Sequence, residues 1–76
     1  MNPSTTREKL RILLTHWVEH NQEHAEEFRR WAGQAEQAGE METASRLNAA
    51  AAGMEGVNKN LLAALETIES PLEDQR

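Results

Sequence analysis

Apolar residues recur along this chain at the spacing of an α-helix and not in the alternation of a strand. In the first half Leu10, Leu14, Trp17, Phe28, Trp31, Ala35 and Ala38 return at helical intervals. In the second half the stripe runs Ala44, Leu47, Ala51, Met54, Leu61, Leu65 and Ile68. Between them Gly39 is the natural stop, because glycine takes the left-handed conformation without a steric penalty. Thr5 followed three residues later by Glu8 predicts a capping box at the start, with Ser4 and Thr6 as alternative caps. Ser70-Pro71 predicts the end, since proline disfavours helix in the residue before it. The expected fold is all-α: helix 1 over residues 5–38, helix 2 over 41–69, and a frayed tail at 70–76. Together they make one antiparallel two-helix hairpin domain spanning 1–76.

A turn at 39–40 sets residue i opposite residue 79−i. Asn21 then faces Asn58, His24 faces Glu55, and His20 faces Lys59. At 100° per residue the stripe centres are Leu10, Trp17, Phe28 and Ala35 on helix 1, and Leu47, Met54 and Leu65 on helix 2. The reverse of helix 2 carries Ala49, Ala52, Gly53, Gly56, Asn60 and Ala63. Such small residues let another helix come close. This predicts a second hairpin packed on helix 2, giving a four-helix bundle as a homodimer. The plainer account is that alanine is a good helix former on an exposed face.

Composition sharpens the need for a partner. Ordering a residue costs roughly 1–2 kcal/mol, and chains as short as these 76 residues usually need disulfides, a metal or another chain. With no cysteine, disulfides and thiolate metal sites are excluded. Eight Lys plus Arg against thirteen Asp plus Glu leave a net charge of −5, which repels phosphate backbones, so no nucleic acid is expected. No run is apolar enough for a membrane span or a signal peptide, which predicts a cytoplasmic protein.

The residues with chemistry are His16, His20 and His24, at i, i+4, i+8. Side chains four apart lie one turn apart, so their rings can converge on a divalent transition metal such as Zn, Ni, Co or Cu. Glu55 is a candidate fourth ligand, reaching His24 from helix 2. Glu19, Glu23 and Glu27 are candidate outer partners of the imidazoles. On this reading the protein is a metal carrier or sensor. The competing reading makes the histidines, with Asn21 and Asn58, a structural polar layer inside a non-catalytic interaction module that binds its own copy or another protein.

Catalysis has little support. Two overlapping H-x-x-E-H strings, His16 to His20 and His20 to His24, resemble the inverted zinc-protease signature over five residues only. So short a chain lacks the cleft and third ligand of such enzymes. No Glu-x-x-His occurs, which removes a di-iron bundle. No Ser-His triad spacing or phosphate loop is present. Trp17, Phe28 and Trp31 are expected in the core and not in a ligand pocket. No enzyme is expected.

The segment His16-Trp17-Val18-Glu19-His20-Asn21-Gln22-Glu23-His24-Ala25, continuing to Phe28 and Trp31-Ala32, resembles a small prokaryotic family of uncharacterised helical hairpins. Those proteins read H-W-x-x-H-N-x-x-H-A-x-x-F-x-x-W-A. The resemblance covers helix 1 and the Ala/Leu/Glu character of helix 2. It implies a bacterial or archaeal helical hairpin and no particular activity.

Overall fold

The fold was obtained as a computed structural model describing residues 3–69, with side chains from Thr5 onward. Two antiparallel helices, α1 (Pro3–Gln37) and α2 (Met41–Glu69), pack along their length into a rod of 55 × 19 × 14 Å. Helix α1 begins at Pro3, two residues before the expected capping box, so Thr5 stands inside the first turn and does not cap it. Proline suits a first helical position, where its missing N–H would have no partner within the helix. The expected stop at Ser70-Pro71 and the tail lie outside the described residues.

The turn follows from one glycine. Gly39 has φ of 84°. Its N–H donates to the Glu36 carbonyl at 3.0 Å, and the Glu40 N–H donates to the Ala35 carbonyl at 2.8 Å. These are the two hydrogen bonds of a Schellman cap, which satisfies carbonyls that the helix end would leave unpaired. Glu40 then accepts the Ala44 N–H at 3.0 Å, starting α2. At the other end of the rod, the Arg7 guanidinium donates to the carbonyl of Ile68 in the last turn of α2. A cation there also complements the helix dipole.

The register is the one the turn predicts. Asn21 Nδ2 donates to Asn58 Oδ1 at 3.1 Å, and Asn58 Nδ2 donates to the Val18 carbonyl at 3.0 Å. Carried along the rod, i opposite 79−i pairs two heptad seams. On α1 the seam runs Leu14, Val18, Asn21, Ala25, Phe28, Ala32 and Ala35, all buried or half-buried, while Thr6, Arg7, His24 and Gly33 are half-buried outside that run. On α2 it runs Ala44, Leu47, Ala51, Met54, Asn58, Leu61, Leu65 and Ile68, with Ala64 half-buried beside it. Both alternate steps of three and four, the antiparallel coiled-coil pattern. Small meets large across it: Ala25 opposite Met54, Phe28 opposite Ala51, Ala32 opposite Leu47.

This seam corrects the stripe expected on α1. Leu10, Trp17 and Trp31 are not at its centre but are exposed by 37%, 41% and 56%. The deeply buried residues are Leu14 and four alanines, Ala25, Ala32, Ala44 and Ala51. An alanine in the seam lets the backbones approach closely, and the closer helices have no room for an indole between them. On α2 the seam is the expected stripe, with Asn58 added to it.

Two outcomes test this fold. Gly39→Ala keeps the hairpin but forces a Cβ into the left-handed region, costing about 1–2 kcal/mol and lowering the melting temperature by far-UV circular dichroism. Asn58→Ala leaves the Asn21 amide without its partner and costs about 1–2 kcal/mol. The double change of Asn21 and Asn58 to Leu removes that penalty, and a melting temperature below that of Asn58→Ala alone would count against the polar layer as a register device.

Candidate functional site: a histidine pair on an uncharged flank

The heptads sort most other residues to one of two sides of the rod and the remainder to its back. Beside the seam on one side α1 carries Leu10, Trp17, His24 and Trp31, spaced by seven, with Leu13 and His20 at their shoulder. In an antiparallel pair the same side of α2 carries Ala50, Val57 and Ala64, with Gly53 and Asn60 at their shoulder. Only Glu27 and Arg46, farther along the shoulder rows, put charge on this flank. The opposite flank holds Glu8, Glu19, Glu26, Arg29 and Glu36 on α1, and Glu55, Lys59, Glu66 and Glu69 on α2.

The histidines sit at the middle of the sparsely charged flank. Nε2 of His20 and Nε2 of His24 are 3.0 Å apart, with ring centroids at 4.5 Å and planes at 83°. At that distance one ring carries Nε2–H and the other accepts with its lone pair. Phe28 stacks on the His24 ring at 5.8 Å and 25°, which holds the imidazole against the rod. His24 is half-buried and His20 exposed. His16 is less involved: its ring is 6.1 Å from that of His20 at 22°, and its heptad position has rotated toward the back of α1. The ladder is therefore a converging pair with a neighbour.

Glu55 does not complete it. Both carboxylate oxygens are taken by the Arg29 guanidinium, at 2.6 and 3.0 Å, on the far flank. The facing rule brings Glu55 level with His24 but on the other side of the seam. Glu27 pairs weakly with Arg30 at 3.7 Å, and Glu19 and Glu23 are exposed at positions turned away from the histidine pair. Among the described residues no group of three or more His, Asp or Glu is gathered as a metal site. A shallow groove of about 250 Å³ lies on the charged flank, lined by Gln22, Glu26, Asn58 and Lys59, away from the histidines.

The six small residues expected at an oligomer face, Ala49, Ala52, Gly53, Gly56, Asn60 and Ala63, are all exposed in the single chain. Nothing lies within 4 Å of a Cβ added at Gly53 or Gly56. They do not form one patch with the tryptophans. Gly53 and Asn60 border the sparsely charged flank, Ala49, Gly56 and Ala63 form the back of α2, and Ala52 turns toward the charged side. The flank itself, with Trp17 and Trp31, was missed because tryptophan is ordinarily a core residue. The signal available was the seven-residue spacing of Leu10, Trp17, His24 and Trp31, which a seam alternating three and four excludes.

Residues 10–68, containing the asparagine layer, the turn and all three histidines, match the family described as Domain of unknown function (DUF8180). The chain belongs to that family. No curated protein and no solved structure matches it. Among the described residues no helix is long and apolar enough to cross a membrane.

The ion pair gives a prediction. Arg29 and Glu55 are 44% and 58% exposed at their side chains, so Glu55→Gln is expected to cost under about 1 kcal/mol. It should also leave any metal uptake unchanged in a cobalt titration. A loss of uptake would return Glu55 to the site.

Proposed function

We propose that this hairpin is an assembly module without catalytic chemistry of its own, two copies packing through the sparsely charged flank into a four-helix bundle. The observation that carries the reading is the pair Trp17 and Trp31, exposed by 41% and 56% on the side of the rod that carries the fewer charges. Large apolar patches on one face of a small protein mark interaction sites, and tryptophan is enriched where binding energy concentrates.

A second copy is the occupant that the pattern fits. On α1 Trp17 and Trp31 stand seven residues either side of His24, and on α2 Ala50 and Ala64 stand seven either side of Val57. In the 79−i register His24 is level with Glu55 and Val57 with Gln22, so the centres of the two rows lie two residues, about 3 Å, apart along the rod. One two-fold axis passing between those centres, near the level of Glu23, serves both rows to within about 1.5 Å. A two-fold axis there sets Trp17 against the partner's Trp31, and Ala50 against the partner's Ala64, large on large and small on small. The surface area agrees. The chain exposes 5744 Å², against about 4,700 Å² for a compact protein of this size. The excess is comparable with the roughly 800 Å² that each partner buries in a stable interface.

A second reading is a carrier of a divalent transition metal, favoured by the two ring nitrogens at 3.0 Å. Both readings suit a cytoplasmic, prokaryotic protein, in keeping with the absence of cysteine and the motif resemblance. Sedimentation equilibrium of the full chain at micromolar concentration is the test of assembly. A dimer is expected, and Trp17→Glu with Trp31→Glu should convert it to a helical monomer. A wild-type chain that is monomeric and fully helical removes the proposal.

A further inference from the structure

A single chain brings two imidazole nitrogens together and no third donor, yet the pair lies where a second copy would double it. We infer that His20 and His24 of two copies form one shared four-nitrogen site for a divalent transition ion of the zinc or cobalt type, centred on the two-fold axis of the bundle. The inference rests on the assembly reading above and adds the ligand to it.

The geometry is near what such an ion requires. A tetrahedral ion with bonds of about 2.0–2.1 Å holds its nitrogens about 3.3 Å apart. The two Nε2 atoms stand at 3.0 Å, so each imidazole has to turn by only a few tenths of an ångström of nitrogen travel. The Nε2 atoms also face each other and not solvent alone. What must change is one proton. The ring that carries Nε2–H shifts its hydrogen to Nδ1, leaving two bare Nε2 atoms for the ion, and no redox step or co-reactant is involved.

Two nitrogens leave a tetrahedral ion half coordinated. Glu55 is held by Arg29 on the far flank, and His16 is displaced by 6.1 Å between ring centres, so neither supplies the remainder. The axis argued from Trp17, Trp31, Ala50 and Ala64 passes between the levels of His24 and Val57, beside the His20–His24 pair. It therefore brings the partner's His20 and the partner's His24 to the same centre. Phe28 against His24 and the four tryptophans around the axis would screen the site from water.

The experiment uses the full chain freed of metal by dialysis against a chelator, titrated with cobalt(II) and with zinc(II) chloride. The expected result is saturation at one ion per two chains, with the intense visible bands of tetrahedral cobalt. Metal should also tighten the dimer, by about 100-fold when free ion stands at 100 times its dissociation constant and binds the dimer alone. The double variant His20→Ala with His24→Ala should lose the bands while keeping its helical circular dichroism, and His16→Ala should keep both. Saturation at one ion per chain, weak octahedral cobalt bands, or undiminished uptake by the double variant overturns the shared site. A dimer that persists in chelator and takes up no metal removes this inference and leaves the assembly reading standing. A monomer with and without metal removes both.

Discussion

The amide of Asn58 sets the register on which the rest of the structure depends. Its Oδ1 accepts from Asn21 and its Nδ2 donates to the Val18 carbonyl, so one side chain ties α2 to two turns of α1. A slip by one heptad would put each asparagine against an apolar residue and leave its amide unpaired in the seam. Apolar residues alone would not resist that slip, since Leu and Ala accept many neighbours. The register in turn decides which residues face outward.

Alanine does the rest. Ala25, Ala32, Ala44 and Ala51 are buried at the contact, where each methyl contributes only about 0.8 kcal/mol. Their value is the close approach they permit. The same approach leaves the indoles of Trp17 and Trp31 beside the seam. The outcome is a rod with a radius of gyration of 17.1 Å, against about 11.4 Å for a compact domain of this length. A two-helix rod has no interior for large side chains, and Trp17 and Trp31 stay on its surface.

Charge is distributed to match. Glutamates and the Arg29–Glu55 pair occupy one flank and keep it hydrated, while the other flank holds tryptophans, small residues and two imidazoles. Repulsion among acidic flanks disfavours association there, which is why the proposed interface is placed on the other side. The proposed interface and the proposed metal site thus come from one asymmetry.

Helix type, the hairpin and its turn were legible in the sequence because they follow from local chemistry. Helical periodicity, Gly39 and the 79−i rule lead to Asn21 opposite Asn58 without any coordinates. The His20–His24 pair was legible too, being one turn apart on one helix. The start at Pro3 was obscured by competing cap residues at Ser4, Thr5 and Thr6. Tertiary packing decided what the local pattern left ambiguous. Alanine reads equally as core or surface, so the seam through Ala25 and Ala32 emerged only when a second helix pressed against α1. Glu55 shows the same limit. Sequence spacing put it level with His24, but side of the seam is a property of two helices together, and it decided that Glu55 binds Arg29 and not a histidine.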